Sequence, residues 1–392
     1  TSFSVQSAMD SSVFIIAGIV VLVVILVVVF LIVILVIRKR RNTVVVPEIV
    51  EEQNSTRKPS IAFTQTSFYS TSTRRVDSFE IDRSFIQIQS RKPLGKGAFG
   101  SVFLGQLSRP NSPDWNGAVA VKMQSESNKD SNQEEFLREI STMKAIGYHE
   151  RLANILACVT LSSPIVLVLE YCANGDLLTY MRKRLTYMLE HSNRLSVDPQ
   201  FMITQRQQLA FASQIAHGLE FLSKRGFVHR DVAARNILVD AFDTCKIGDF
   251  GLCREVGKAP EHYQSMSGRL PIRWMSPEAI EFSHFSSSSD VWSYGVLLFE
   301  IITLGGYPYP RWHVQDVLSR LKAGERMPRP ESCSDTMYTL MQHCWMQMPA
   351  MRPSFTHIRR FLGQEMNQSI VGSYYAVVNG QADYYVASTD NY

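Results

Sequence analysis

The chain's apolar positions change their spacing several times, and each change marks a different kind of segment. From Val13 to Ile37 no side chain is polar, and most are Val or Ile. In water such β-branched density favours a strand. A lone strand in hydrocarbon leaves its backbone groups unpaired, so a bilayer forces this segment into a helix. At 1.5 Å per residue it extends about 37 Å, enough to cross a hydrocarbon core of about 30 Å with some tilt. The run is too long for a secretory leader, and nothing basic precedes it. Arg38, Lys39, Arg40 and Arg41 follow it, against Asp10 alone on the other side. The positive-inside rule then places the C-terminal part in the cytosol, beneath what is expected to be the plasma membrane. Thr1–Ser12 forms an outer stub too short to fold as a domain. The chain begins with Thr rather than Met, so truncation, processing and a short exterior all stay open.

Beyond the span, Asn42–Ser84 is rich in Ser, Thr and charge and reads as a disordered juxtamembrane linker, 38–84 in full. A globular pattern runs from Phe85 to Met366. It opens with alternation from Phe85 to Leu107, read as strand, glycine loop and strand, followed by an apolar strand over Ala118–Met123. Gln133–Met143 then places Phe136, Leu137, Ile140 and Met143 on one face of a helix. Arg182–Gln205 has a mixed charged character and reads as a surface insert between two helical stretches. Asn367–Tyr392 is short, polar and tyrosine-rich, a flexible tail.

Composition narrows this picture little. A net charge of +4 on 392 residues offers no case for nucleic-acid binding, which needs a concentrated basic face. The six cysteines all follow the apolar span and form no C-x-x-C pair, so they read as reduced thiols of a cytosolic domain. Asn54 and Asn367 match the N-x-S/T sequon, but the inferred topology puts both away from the glycosylation machinery.

The chemistry lies in an ordered set of short motifs. Gly95, Gly97 and Gly100 make G-x-G-x-x-G within Leu94–Val102. Alone this also fits a dinucleotide fold, but Ser-Val-Phe-Leu after it is strand-like, where a dinucleotide site needs a helix. Lys122 ends the apolar strand Ala118–Met123, where a cation needs a carboxylate partner, and Glu139 lies beside the apolar face of the next helix. Glu134 and Glu135 read as solvated. His229, Arg230, Asp231 and Asn236 make H-R-D-x-x-x-x-N, and Asp249–Gly251 is Asp-Phe-Gly.

In this order the motifs resemble the protein kinase superfamily over nearly the whole globular part. The resemblance implies an α+β bilobal kinase fold, with a β-rich N-lobe and a helical C-lobe, behind a single transmembrane helix. It implies ATP and Mg²⁺ as cofactors. Asp231 would accept or orient the proton of the attacking hydroxyl, and Asn236 and Asp249 would hold Mg²⁺ through oxygen ligands. Lys122 would touch the α/β-phosphates and pair with Glu139. Leu94, Val102, Ala120 and Leu238 would sandwich adenine, Leu169 would be the gatekeeper, and backbone groups of Glu170 and Cys172 would bond the base. Glu278 and Arg352 would form a structural ion pair, and His229 would be structural too.

Two segments resemble tyrosine kinases in particular. Asp231 is followed by Val-Ala-Ala-Arg-Asn, so Arg235 replaces the lysine that serine/threonine kinases carry two residues after the aspartate. Leu270-Pro-Ile-Arg-Trp-Met275 resembles the tyrosine-kinase segment that supports the substrate phenol. Val232, Cys253 and Ser276 depart from the pattern only by small swaps of similar volume. Cys253 reads as a packed small hydrophobe rather than a reactive thiol. The nearest pattern is that of receptors of the fibroblast or platelet-derived growth factor type. Tyr263, between Asp249 and Glu278, is an expected activation-loop phosphosite, and Tyr375 and Tyr385 in the tail are expected docking phosphotyrosines for SH2 or PTB proteins. The family implies dimerisation for trans-phosphorylation, although Gly18 has no small residue four positions away to build a helix-dimer face. Two other classes compete with this one: a pseudokinase scaffold, which would normally have lost a Lys, Asp or Asn still present here, and a serine/threonine kinase, which Arg235 and the Leu270–Met275 segment disfavour.

Overall fold

The computed structural model describes residues 77–97, 100–109, 112–124, 131–191, 198–257 and 270–368. The expected span, outer stub, Tyr263 and tail tyrosines lie outside them. Among the described residues no helix is long and apolar enough to cross a membrane.

The N-lobe is one antiparallel sheet with a helix against it. Its strands are β1 (Ile86–Ile88), β2 (Gly95–Gly97), β3 (Gly100–Arg109), β4 (Ser112–Gln124), β5 (Ile155–Val159) and β6 (Val166–Glu170), in the order β1-β3-β4-β6-β5 with β2 also on β3. Strand parity decides what each face holds. Val119 and Val121 turn to a small apolar cluster with Leu107, Ala157, Val159, Val166 and Val168. Ala120 and Lys122 therefore look the other way. Helix α1 (Ser131–Ile146) lies on that side, joining Phe136, Ile140 and Met143 to the main core with Cys158 and Leu167. The apolar stripe expected for Gln133–Met143 is thus the buried one.

The C-lobe is mostly helical: α2 (Leu177–Glu190), α3 (Gln205–Lys224), α4 (Pro277–Phe282), α5 (Ser287–Ile302), α6 (Val317–Lys322), α7 (Asp335–Cys344) and α8 (Phe355–Gln368). The starts of α2, α3 and α7 are fixed by side chains that accept backbone N–H groups: Asp176 from Thr179, Thr204 from Gln207, and Ser334 from Met337. Helix α5 opens with a reciprocal Ser286–Ser289 capping box and is buried on all sides from Ser289 to Ile302, so it is the axis of the lobe. Four short strands line the cleft: β7 (Phe227–Val228), β8 (Ile237–Val239), β9 (Cys245–Ile247) and β10 (Arg254–Glu255), paired β7 with β10 and β8 with β9.

Two boundaries differ from expectation. The packed N-lobe begins upstream of Phe85: Phe79 and Ile81 pack on it, and Glu80 accepts from Thr160 N–H at 2.6 Å and Thr160 Oγ1 at 2.8 Å. The linker composition hides this, because two apolar side chains and one carboxylate suffice to dock the segment. The segment from Arg182 is not a surface insert at its start. Helix α2 continues to Glu190 with Leu185 and Met188 buried, and Arg182 Nε donates to Gly305 O at 2.9 Å. Its charges lie on the outer face of an amphipathic helix, which composition alone presents as a loop.

Candidate active site

Sheet register brings together positions that are far apart in sequence. Val102 stands opposite Lys122, Lys122 opposite Leu167, and Ala120 opposite Leu169. Directly opposed residues share a face. Val102, Ala120, Lys122 and Leu169 therefore line one side of the sheet. Leu94, which is exposed, joins through its N–H to Val102 O at 2.7 Å. Glycine is needed at Gly100 for a reason other than a positive φ. A Cβ there would meet Met123 O at 2.1 Å, so the β3–β4 approach excludes any side chain, whereas a Cβ at Gly95 would meet nothing.

Lys122 Nζ donates to both Glu139 oxygens at 2.7 Å, joining β4 to α1. Both groups are buried. Burial works against the ammonium, but Glu139 and then Asp249 outweigh it and hold the Lys122 pKa above its ordinary value. Asp249 therefore acts electrostatically on the pair across the cleft. It has a left-handed φ of 52°, as Arg230 has at 71°. Such conformations are strained for residues other than glycine and persist only where neighbours over-determine them. For Arg230 the neighbour is Asp290 on α5, which accepts His229 N–H at 2.7 Å and Arg230 N–H at 2.9 Å. His229 is fully buried and bonds Gly248 O through Nε2 at 3.0 Å, so it ties its own loop to the segment that follows β9 and leads to Asp249. Phe250 packs edge-on against His229 and faces Met143 and Ile146 of α1.

Around Asp231 the loop closes on itself. Asn236 Nδ2 donates to Asp231 Oδ2 at 2.7 Å and to Asp231 O at 2.9 Å, and Arg235 forms an ion pair with Asp231. The Arg235 guanidinium lies 4.4 Å from the Trp274 ring centroid, so the catalytic loop is stacked on the Leu270–Met275 segment. With Asn236 Nδ2 turned to Asp231, Asn236 keeps an amide oxygen and Asp249 a carboxylate, which are the oxygen groups a hard cation would take. At the hinge, Cys172 O accepts from Gly175 N–H at 3.2 Å, while the Glu170 side chain accepts from Asn154 Nδ2 at 3.1 Å and Lys246 Nζ at 2.8 Å. Burial pushes the thiols of Cys172 and Cys253 up to about 12, which makes both packing groups. The Glu278–Arg352 pair is bidentate, at 2.6 and 2.9 Å.

Two carboxylates of α5 complete the site: Asp290 opens the motif Asp290-Val-Trp-Ser-Tyr-Gly295, and Glu300 lies outside the motifs. Asp290 anchors two backbone N–H groups, and Glu300 Oε2 accepts from Ala234 N–H at 2.9 Å and Trp274 Nε1 at 3.0 Å. The available signal for Glu300 was a lone charge inside the apolar run Val296–Ile302.

A two-lobed fold with this cleft defines a protein kinase, an ATP-dependent phosphotransferase. A family model for protein tyrosine and serine/threonine kinases matches residues 88–362, and the chain belongs to that family. Over 272 residues it is 36% identical to fibroblast growth factor receptor 1 of Xenopus laevis, an alignment covering 68% of this chain and 33% of that receptor. The chain thus spans about a third of the relative's length, and its folded part is a protein kinase domain similar to part of that receptor.

Proposed function

We propose that the chain is a single-pass membrane protein tyrosine kinase that transfers the ATP γ-phosphoryl group to tyrosine hydroxyls of proteins. The observation that carries this reading is Arg235, ion-paired with Asp231 and stacked on Trp274. It puts the cation for the phosphoryl group four residues after the base and against the segment that supports a phenol. Asp231 accepts the phenol proton as the phenol oxygen bonds to phosphorus and the bond to the ADP oxygen breaks. Arg235 balances charge on the phosphoryl oxygens and Lys122, held by Glu139, positions the α/β-phosphates. Asn236 and Asp249 are the residues to hold Mg²⁺, which supplies charge neutralisation when bound. Leu94, Val102, Ala120, Leu169 and Leu238 hold adenine, with backbone groups of Glu170 and Cys172 bonding its edge and Gly95, Gly97 and Gly100 covering the phosphates. The test is a kinase assay on matched Tyr and Ser peptides with Asp231→Asn as control. Phosphate on Ser peptides alone would sink the tyrosine reading, and equal turnover by Asp231→Asn would sink the assignment of the base.

Phosphate on Tyr263 adds close to two negative charges and orders the loop by pairing with Arg230 or Arg254. A Tyr263→Phe protein should show no rise in turnover on preincubation with ATP; a rise equal to wild type rejects the idea. Dimerisation serves trans-phosphorylation. Phosphorylated Tyr375 and Tyr385 recruit SH2 or PTB proteins, which tail phosphopeptides should capture.

A further inference from the structure

Helix α5 carries polar groups along one buried face, and each is spent on a different part of the site. Asp290 holds His229 and Arg230, Ser293 Oγ donates to Trp274 O at 2.7 Å, and Glu300 takes Ala234 N–H and the Trp274 indole on one oxygen. Positions 293 and 300 are two turns apart on the same face. Trp274 is therefore gripped at both ends, by backbone and by ring nitrogen. Glu300 is only 1% exposed. A buried carboxylate is costly unless its acceptors are used and cations lie near. Here Arg235 and Arg182 act on it electrostatically.

From this we propose that Glu300 is a positioning residue for the tyrosine substrate: its carboxyl fastens the catalytic loop at Ala234 to the Trp274 platform, setting the stack on which Arg235 reaches Asp231. The proposal rests on the tyrosine-kinase reading above. It predicts an effect on the phenol and not on the nucleotide, because Lys122 and Glu139 hold each other, Asn236 is bonded to Asp231, and the Asp249 carboxylate accepts from Gly251 N–H. One oxygen accepts both donors, so a glutamine amide oxygen replaces it, whereas methionine of similar length leaves two buried donors unpaired.

The experiment uses the full chain. KM and kcat are measured for a tyrosine peptide and KM for ATP, in wild type, Glu300→Gln, Glu300→Met and Trp274→Phe. Glu300→Met should raise the peptide KM or lower kcat by about tenfold or more with the ATP KM unchanged, since small misplacements cost that much. Glu300→Gln should stay within about threefold of wild type, as a retained acceptor requires. Trp274→Phe keeps a ring over Arg235 but loses the indole donor, so it should show part of the peptide defect, and the double variant should show less than the product of the two. Equal shifts in both KM values, no shift in either, or a Glu300→Gln as poor as Glu300→Met would overturn the proposal. If Glu300→Met does not fold, Trp274→Phe with an unchanged peptide KM overturns it alone. A wild type inactive on tyrosine peptides overturns the proposed function instead.

Discussion

At the scale of single residues, the site is made of charges that hold one another. Lys122 is tolerable in the core because both Glu139 oxygens face it and Asp249 adds to them electrostatically. Glu139→Ala should therefore cost stability by about 1–3 kcal/mol, the loss of a charged hydrogen-bond partner with Asp249 still facing the ammonium, measured by chemical denaturation, besides lowering turnover. Asp231→Asn keeps the volume and the Asn236 contact but loses the proposed base and the Arg235 ion pair. Peptide phosphorylation should fall by about 10²–10⁴-fold with the melting temperature near wild type. These residues were legible in the sequence because their spacing within short motifs is fixed by local backbone: Asp231, Arg235 and Asn236 share one loop. Glu300 was not, since its partners Ala234 and Trp274 lie 66 and 26 residues away.

At the scale of elements, α5 acts as a ruler and the connection between α7 and α8 as a clamp on α4. The ruler carries a pH signature. Burial, opposed by bonds from Trp274 and Ala234 and by nearby Arg235 and Arg182, raises the Glu300 pKa from 4.5 to about 7. A carboxyl with a raised folded pKa contributes stability that is full below its unfolded value and is lost as pH rises through the folded one. From pH 5 to pH 8 wild type should lose stability relative to Glu300→Gln, by up to roughly 3 kcal/mol, read as paired melting curves. A parallel pair of curves would remove Glu300 as the source. The clamp is Arg352, whose guanidinium spans both Glu278 oxygens and also donates to Ser288 O at 2.9 Å. Arg352→Leu should destabilise the C-lobe by about 3 kcal/mol or more while leaving the ATP KM of the surviving native fraction unchanged. Element type was legible where periodicity was strong, as in α1. It failed at α2, where the charged outer face dominates the composition while Leu185 and Met188 turn inward.

At the scale of the whole molecule, the folded kinase domain begins further upstream than its motifs do. Phe79–Ile81 adds to the N-lobe by backbone bonds to Cys158, Cys158 N–H to Phe79 O at 2.7 Å and Ile81 N–H to Cys158 O at 3.0 Å. A domain cut at Phe85 should melt lower than one cut at Asp77, by roughly 5 °C or more, because it lacks the packing of Phe79 and Ile81 and the bonds to Glu80. Equal melting would show the segment to be a passenger. The sequence by itself determined the kinase class, the order of the lobes and the residues of the Gly, Lys, His-Arg-Asp and Asp-Phe-Gly motifs, because these are local patterns that one stretch of backbone must satisfy. Only the tertiary structure decided where the domain begins, that the charged half of α2 is a helix with Leu185 and Met188 in the core, and that Asp290, Ser293 and Glu300 bond the 229–236 loop and Trp274. Those are long-range pairings, fixed by which faces must be buried together, and no single stretch of chain contains both halves of them.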